Sequence, residues 1–405
     1  MTVRLTDQPW LTASSTRAVM AALEAAGGSG CARFVGGSVR NALIGAPVDD
    51  IDIATTLKPE ETDKAIRAAG LKAVPTGIAH GTVTAVTERT PFEITTLRRD
   101  VSTDGRNATV AFTDDWSEDA ARRDFRLNAL YADADGQVFD PTGHGVADAE
   151  AGRIVFVGDP ETRITEDYLR ILRFFRFFAW YGRGEPDAAA LEACRKLAPG
   201  MSRLSAERVS KELMKLLAAP DPRPAMAAMG EAGVLEQLLP EASLTLFDAV
   251  VGLSDDPVVR LMALFPAEAE VVTTVSARLR FANATRDRLV GSALADTVAD
   301  LSMSDAAARA AVYRHGSRAV TDALHRRWTE APLRADDARR LIGLVQDWSP
   351  PRLPVGGRQV AKLGVEPGPE TGRLLKAFEE NWIADDFPVE GHAERLAALV
   401  TSQRG

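Results

Sequence analysis

The chain contains 405 residues, of which 45% are hydrophobic and 26% are charged, and its net charge at pH 7 is −9. This length accommodates two or three domains, and the composition is typical of a soluble globular protein. No apolar run reaches the roughly 20 residues that span a bilayer, and the N-terminus lacks a signal-peptide pattern. Two cysteines, Cys31 and Cys194, are too few for a disulfide framework. The sequence therefore indicates a cytoplasmic protein with no membrane partner.

The first hundred residues predict a mixed α/β unit with a small sheet. The predicted helices and strands are, in order, helix 13–27, strand 32–35, helix 39–44, strand 50–55, helix 59–69 and strands 71–75, 82–88 and 92–97.

One stretch of this unit joins two glycines, an arginine and two carboxylates. Gly36 and Gly37 follow the first predicted strand, and glycines let backbone N–H groups approach a phosphate closely. Asp50 and Asp52 stand two residues apart in the next predicted strand, so their side chains point to the same face. Two adjacent carboxylates repel each other unless a cation lies between them, and oxygen ligands suit Mg²⁺. With Arg40 between the two pairs, the pattern indicates nucleotidyl transfer.

A polar segment of 17 residues, 98–114, follows the last of these strands. A segment of that length between regular elements is typical of a mobile loop near a site. A helix is then predicted over 116–132 and a hairpin over 131–140. From about residue 160 onward the chain is predicted to be helical almost throughout.

The predicted helix 164–181 carries ions on a surface that is otherwise apolar. At about 100° per residue, Glu166, Arg170 and Arg173 lie within an arc of roughly 60°, and Asp167 lies about 60° beyond Arg170. Ions on a mostly buried helix must be paired or must bind something. The residues alone leave both interpretations open: an intrahelical Glu166–Arg170 pair, or a binding site.

Short motifs follow one another over about residues 34–217: Gly36-Gly37-Ser38-Val39-Arg40, Asp50-Ile51-Asp52-Ile53-Ala54-Thr55, Phe92-Glu93-Ile94-Thr95-Thr96-Leu97-Arg98, Arg122-Arg123-Asp124-Phe125 with Asn128-Ala129-Leu130, Asp140-Pro141-Thr142-Gly143, Glu166-Asp167-Tyr168-Leu169-Arg170, and Ser205-Ala206-Glu207-Arg208-Val209 with Glu212-Leu213. In this order they resemble the class II tRNA nucleotidyltransferases, the family of CCA-adding enzymes and bacterial poly(A) polymerases within the DNA polymerase β-like superfamily. The stretch Gly364–Gly372 is a weaker match. The chain departs from the family at Asn41, where Asp is usual, and we expect a structural role there.

The resemblance implies an α+β fold with a polymerase β-like mixed α/β nucleotidyltransferase head, followed by an elongated all-α neck, body and tail. We expect the head over 1–148, the neck with the base-recognition helix over 149–218, and the tRNA-binding body and tail over 219–405. The implied activity is template-independent addition of C and A residues from CTP and ATP to the 3′ end of tRNA, with two Mg²⁺ ions and release of pyrophosphate. The implied partners are the tRNA acceptor end and elbow, ATP and CTP, and not DNA.

The resemblance also implies roles for single residues. Asp50 and Asp52 would hold the metal ions. The triphosphate would contact Gly36, Gly37 and Arg40, and the sugar and phosphates would contact Arg123, Asp124 and Asn128. Asp167 and Arg170 would read the base, with Glu166 and Arg173 holding that pair in place. Glu93, on a neighbouring predicted strand, is either a third catalytic carboxylate or a solvent-facing acid.

Reading a base with an acid and an arginine has a physical basis. Cytosine and adenine each present an amino donor beside a ring-nitrogen acceptor, whereas uracil and guanine present the reverse. Because an ionised Asp only accepts hydrogen bonds and an Arg only donates them, the pair fits C and A. Opposite U or G it leaves unpaired groups, at a cost on the order of 1–3 kcal/mol each.

Three alternatives stay open at this point. A bacterial poly(A) polymerase shares the motifs but usually carries a basic C-terminal extension, and little such charge is found near the end of this sequence. A CC-adding-only or A-adding-only enzyme would share them as well. A non-enzymatic RNA-binding protein on the same scaffold is disfavoured by the presence of both Asp50 and Asp52. Candidate RNA contacts in the helical half are Arg352, Arg358, Lys362 and Arg373.

Overall fold

The structure is a computed structural model that describes residues 3–77, 81–104 and 107–404. It divides into two compact units, Met1–Pro240 and Glu241–Gly405. The first unit combines a sheet with helices, and the second is helical. The expected mixed α/β region followed by helices is therefore confirmed.

The strands, all in the first unit, are β1 (Ala32–Val35), β2 (Asp52–Thr55), β3 (Lys72–Gly77), β4 (Thr82–Thr87), β5 (Thr90–Thr96), β6 (Arg98–Asp104), β7 (Asn107–Phe112), β8 (Tyr131–Ala132) and β9 (Val138–Phe139). The helices of this unit are α1 (Pro9–Thr12), α2 (Ser14–Gly27), α3 (Gly37–Ile44), α4 (Pro59–Ala68), α5 (Trp116–Ala121), α6 (Gly145–Ala151), α7 (Pro160–Glu166), α8 (Leu169–Tyr181), α9 (Ala188–Leu197), α10 (Ala206–Leu217), α11 (Arg223–Glu231) and α12 (Val234–Leu238). Those of the second unit are α13 (Phe247–Val251), α14 (Pro257–Met262), α15 (Ala269–Leu279), α16 (Asn283–Asp296), α17 (Asp305–His315), α18 (Ser317–Glu330), α19 (Ala335–Asp347), α20 (Gly357–Lys362), α21 (Pro369–Ala384) and α22 (His392–Arg404).

The main sheet has the strand order β3-β4-β5-β2-β1-β8-β9, and β6 and β7 form a separate hairpin. The central pair, β2 and β5, is parallel, with Asp52 opposite Glu93. On its other side β2 runs antiparallel to β1, with Phe34 opposite Ile53. Because residues that are directly paired in a sheet point to the same face, the register places the Asp52 and Glu93 side chains next to each other.

Aromatic packing attaches α8 to the segments that follow α5 and precede α7. The rings of Phe125 and Phe156 are 4.8 Å apart, and those of Phe125 and Phe177 are 5.1 Å apart. Phe125, Phe156 and Phe174 are fully buried. Phe174 and Phe177 belong to α8, so this cluster fixes α8 against the segment that follows α5.

The second unit has two hydrophobic clusters. One is built mainly from α17, α18 and α19, with Leu324 and Leu341 at its centre. The other joins α20, α21 and α22 around Leu374 and Phe378. Within the part of the chain that the structure describes, no helix combines the length and the apolar surface needed to cross a membrane.

The expected loop over 98–114 is wrong, because most of it forms the β6–β7 hairpin, with Arg98 paired to Phe112. Residues 105 and 106 lie outside the described residues. The polar composition concealed a strand signal, since valine and threonine recur on both sides of the Asp104-Gly105 pair, a sequence pattern that is typical of a hairpin.

The expected helix over 116–132 is wrong beyond Ala121, where α5 ends. The carbonyl oxygens of Arg122 and Arg123 accept hydrogen bonds from the Arg163 guanidinium instead of from helical N–H groups. The Asp124 carboxylate accepts from the Phe125 N–H at 2.8 Å. These side-chain bonds replace the helical pattern, because they satisfy the same backbone groups in another conformation.

The expected continuous helix over 164–181 is wrong as well, because α7 ends at Glu166 and α8 begins at Leu169. Between them Asp167 is extended, with φ −153°. Its carboxylate accepts a hydrogen bond from the Leu169 N–H at 3.1 Å, as a capping residue does at a helix start. Because the helix is interrupted at Asp167, the residues on either side of it do not share the single helical face that the sequence predicted.

Truncating the aromatic cluster should destabilise the protein. We expect Phe125→Ala to lower the free energy of unfolding by about 3–5 kcal/mol, because it leaves a cavity among buried rings. Urea denaturation followed by tryptophan fluorescence measures this. Phe112→Ala is the matched control, since Phe112 is 41% exposed and should cost about 1 kcal/mol or less. Equal losses for the two variants would contradict the assignment of the cluster as core.

Candidate active site

A glycine turn leads from β1 into α3. Gly36 has φ 70°, a left-handed conformation that favours glycine. A Cβ atom at Gly36 would lie 3.6 Å from Nη1 of Arg123 and 3.7 Å from the carbonyl oxygen of Asn128. The turn therefore brings the start of α3 next to a guanidinium group, and both can attract an anion.

The carboxylates predicted from sequence lie beside this turn. The register places Asp52 next to Val35, the residue before Gly36, and opposite Glu93. Asp50 precedes β2 instead of lying in it, so the expected strand 50–55 is two residues too long at its start. All three carboxylates are exposed to solvent.

Partial desolvation, then repulsion from Glu93 and from Asp50, raises the pKa of Asp52 to about 6, and the charge of Arg123 opposes the shift. Among the described residues, none hydrogen-bonds to or forms an ion pair with these three carboxylates. Carboxylates that lie close together and are not bonded to a protein cation are chemically suited to bind a hard metal ion.

The described residues contain no group of three or more His, Cys, Asp or Glu side chains arranged to hold one metal ion. Two carboxylates are nevertheless a common protein contribution to Mg²⁺, because substrate phosphates and water supply the other oxygens. Asp50 and Asp52 fit that donor set.

Two residues that the motifs did not single out hold Arg123 in place. The Asp119 carboxylate accepts hydrogen bonds from Nη2 of Arg123 at 2.9 Å and from the Tyr131 hydroxyl at 2.8 Å. Burial disfavours the charge on Arg123, but Tyr131 and Asp119 outweigh it and raise the pKa of Arg123. The spacing of Asp119 and Arg123, four residues apart, was the signal available in the sequence.

A chain of hydrogen bonds joins the buried residues Arg40, Asn128 and Asp124 to the half-buried Arg173. Nη1 of Arg40 donates to the Asn128 side-chain oxygen, and Nδ2 of Asn128 donates to Asp124 at 3.1 Å. Nε of Arg173, on α8, donates to Asp124 at 2.8 Å. Burial alone would raise the pKa of Asp124, but the charge of Arg173 and these hydrogen bonds hold it well below its usual range. These four residues therefore tie α3 to α8.

Arg40 is only 5% exposed and has two further partners. Its Nη2 donates to the Tyr181 hydroxyl at 2.8 Å, and its guanidinium lies 3.9 Å from the centre of the Tyr181 ring. Asn41 accepts from Arg40 at 2.9 Å and donates to the Pro47 carbonyl at 2.7 Å. Asn41 thus makes structural contacts at the position where the chain departs from its family.

The Glu166–Arg170 pair expected from the sequence is present, but it joins α7 to α8 across the break. The Asp167 carboxylate accepts from Nη2 of Arg208 at 2.6 Å and not from the Arg170 guanidinium, while the Arg170 N–H donates to the Asp167 carbonyl at 2.9 Å. The Arg170 guanidinium donates to the Glu166 carboxylate and to the Arg163 carbonyl at 2.8 Å.

Arg173, expected to support the Asp167–Arg170 pair, is bonded to Asp124. Arg208 lies in the motif that begins at Ser205, but the sequence did not identify it as a site residue.

The two groups of residues border the same short segment. Arg163 and Arg170, from α7 and α8, both donate to the carbonyl of Arg122, and Arg163 also donates to that of Arg123. The Arg123 side chain reaches Gly36. The segment 122–124 therefore connects the carboxylate edge of the sheet with the α7–α8 break.

The chain is similar to known proteins over most of its length. The family model of the Poly A polymerase head domain matches residues 32–155, and that of the probable RNA and SrmB-binding site of polymerase A matches residues 185–245. The CCA tRNA nucleotidyltransferase 1, mitochondrial, of Homo sapiens is 36% identical over 377 residues, which is 88% of this chain and 84% of that protein. The CCA-adding enzyme of Streptococcus pyogenes is 44% identical over 200 residues, 49% of this chain and 48% of that protein.

Solved structures show the same fold. The Bacillus stearothermophilus CCA-adding enzyme in complex with CTP has a TM-score of 0.74 and 24% identity, covering 97% of this chain and 98% of that one. The Thermotoga maritima CCA-adding enzyme complexed with tRNA has a TM-score of 0.69 and 16% identity, covering 100% and 99%.

The pKa of Asp52 predicts a pH-dependent stability. The carboxyl group has a pKa of about 6 in the folded chain and its ordinary value of 3.8 in the unfolded chain. The folded state therefore binds more protons between these values, so stability falls as pH rises from about 4 to 6. Because solvent screens this exposed group, we expect Asp52→Asn to raise the melting temperature by about 2–4 °C at pH 7.5 and not at pH 4.

Differential scanning fluorimetry without divalent cations measures this difference. Asp135→Asn, in the exposed turn between β8 and β9, is the control and should melt like the parent protein at both pH values. A difference for Asp52→Asn that is independent of pH would contradict the repulsion described above.

Proposed function

The chain belongs to the family of CCA-adding tRNA nucleotidyltransferases, and on this premise we propose that it adds C and A residues from CTP and ATP to the 3′ end of tRNA. The observation that carries the proposal is the register that sets Asp52 opposite Glu93 and next to the Gly36 turn. It combines a carboxylate site with an anion-binding turn on one sheet edge. The reaction is attack of the RNA 3′-hydroxyl on the α-phosphate, with release of pyrophosphate.

Asp50 and Asp52 are proposed to hold two Mg²⁺ ions. Their oxygen ligands and the raised pKa of Asp52 support this assignment. When bound, the ions lower the pKa of the attacking hydroxyl and neutralise charge on the triphosphate. Glu93 is proposed to be the third catalytic carboxylate, because it lies opposite Asp52.

The triphosphate is proposed to lie over the Gly36–Gly37 turn. Backbone N–H groups at the start of α3 and the Arg123 guanidinium would bind its oxygens. Arg40 is already bonded to Asn128 and Tyr181, so it is proposed to act mainly through its positive charge and by holding the turn. Asp124 and Asn128 are proposed to contact the sugar from the same buried chain.

The base is proposed to be read by Asp167 and Arg170. Glu166 supports this assignment because its contact with Arg170 holds the guanidinium in one orientation. Arg173 would act at longer range, through Asp124.

The remaining assignments concern domains, RNA and location. We propose residues 1–148 as the catalytic head, 149–218 as the neck and 219–405 as the tRNA-binding body and tail. Exposed Arg352, Arg358, Lys362 and Arg373 support an RNA surface in the last part. Two free, buried cysteines support a cytoplasmic location, although the human relative's name contains the word mitochondrial.

The direct test is incubation of the protein with a tRNA lacking its 3′ CCA, together with labelled CTP, ATP and Mg²⁺. We expect an extension of three nucleotides, read by gel electrophoresis and sequencing. A long A tract would instead indicate a poly(A) polymerase, and an extension of two C residues or of one A on a CC end would indicate a partial activity.

Removing one metal-site carboxylate should abolish this activity. We expect Asp52→Ala to lower incorporation by more than about a thousandfold, because Asp52 would hold both of the ions that act on the hydroxyl and the triphosphate. The tRNA affinity should change little, and the melting temperature should not fall, because removing this exposed charge relieves the repulsion from Glu93 and Asp50. Asp135→Ala is the matched control with an exposed aspartate, and it should retain full activity. Substantial activity of Asp52→Ala would refute the assignment.

Removing the base-reading groups should reduce nucleotide selectivity. We expect Asp167→Ala or Arg170→Ala to reduce the preference for CTP over UTP, and for ATP over GTP, by about 10- to 100-fold, because each removes one hydrogen bond specific to C and A. The measurement is kcat/KM with one nucleotide at a time. Unchanged ratios in active variants would contradict the proposed role of the pair.

A further inference from the structure

Asp167 lies at the break between α7 and α8, where its backbone is extended. One carboxylate oxygen accepts from the Leu169 N–H at 3.1 Å, and the other accepts from Nη2 of Arg208 at 2.6 Å. Their side chains are about a quarter exposed, 24% for Asp167 and 28% for Arg208. In the described part of the chain, Arg208 is the one side chain that hydrogen-bonds to Asp167.

The helix that carries Arg208 is itself anchored. Glu212, one turn further along α10, lies 2.7 Å from Arg176 and 3.9 Å from Arg173, both on α8. Trp180, further along α8, donates to the carbonyl of Lys215 at 2.7 Å. These contacts occur in the same order along both helices. They hold α10 beside α8, and they bring Arg208 to the break.

Arg170 does not share this contact. Its guanidinium is bound by Glu166 and by the carbonyls of Arg163 and Arg122. Residues of α7 and the Arg122 carbonyl therefore hold the Arg170 guanidinium, whereas Arg208 on α10 holds the Asp167 carboxylate. Two separate sets of bonds thus fix the donor and the acceptor that face the base.

We propose that Arg208 is a positioning residue for nucleotide selection, which holds the Asp167 carboxylate in the orientation that accepts a hydrogen bond from the base amino group. The inference rests on the proposed function. Each carboxylate oxygen offers two acceptor sites, so the bonds to Arg208 and Leu169 leave one site on each oxygen. The bond to Arg208 is charge-assisted and keeps Asp167 from rotating. Without it the carboxylate takes several orientations, and the amino groups of C and A lose an aligned acceptor.

Single-nucleotide incorporation separates this role from a structural one. We expect Arg208→Gln to lower kcat/KM for CTP and ATP about tenfold, with little change for UTP and GTP, because only the bases with an amino donor use the aligned oxygen. Arg208→Lys keeps a cation and should recover part of the loss. The control is Arg195→Gln, which removes an arginine from an exposed pair with Glu192 and should behave like the parent. Melting temperatures establish that each variant is folded.

A double-mutant comparison with Asp167→Asn completes the test. If Arg208 acts through Asp167, Arg208→Gln adds no further loss of selectivity in that background. The inference is overturned by additive losses, by equal losses for all four nucleotides, or by unchanged selectivity of folded Arg208→Gln. Faster incorporation by Arg208→Gln also overturns it, because Arg208 would then be masking Asp167. If the parent protein adds neither C nor A to tRNA, the proposed function itself fails, and the two failures are thereby distinguished.

Discussion

The ion pair between Asp124 and Arg173 is the contact on which the site depends. Asp124 is buried and accepts hydrogen bonds from Arg173 and Asn128, and Asn128 in turn accepts from Arg40. A buried carboxylate that loses its partner is strongly destabilising, on the order of 3–5 kcal/mol. The bonds of Asp124 therefore fix the position of the turn after β1 relative to α8. The proposed binding of phosphates at one end and of a base at the other requires that fixed position, because both ends belong to one nucleotide.

Local patterns in the sequence predicted most of the carboxylate edge of the sheet. The glycine turn and the spacing of the carboxylates act within a few residues and are present in the structure, but the strand alternation does not extend to Asp50, which precedes β2. Asp52 and Glu93 meet because β2 and β5 have matching registers. That pairing spans distant segments, and the sequence alone offered only the neighbouring-strand assignment of Glu93.

Helix ends were harder to predict, because they depend on bonds from distant residues. The guanidinium of Arg163 takes the carbonyls of Arg122 and Arg123, some 40 residues earlier in the chain, and α5 stops there. Helical periodicity in the sequence does not reveal a distant side chain that competes for the same carbonyl groups. The break at Asp167 has the same origin, since a side chain that caps the next helix and also binds Arg208 favours an extended backbone. The charges on one helical face thus predicted the Glu166–Arg170 pair, whereas Asp167 and Arg173 are bonded to Arg208 and Asp124 on other segments.

The parallel pairing of β2 with β5 has a consequence for biosynthesis. Parallel neighbours cannot be joined by a tight turn, and here α4, β3 and β4 intervene between Asp52 and Glu93. A ribosome-bound chain therefore releases Asp52 before the strand that carries Glu93 leaves the exit tunnel. The carboxylate edge is assembled late, by a long-range closure that is slow compared with forming a hairpin. Nascent fragments that end before β5 consequently lack the acid that lies beside Asp52 in the folded protein.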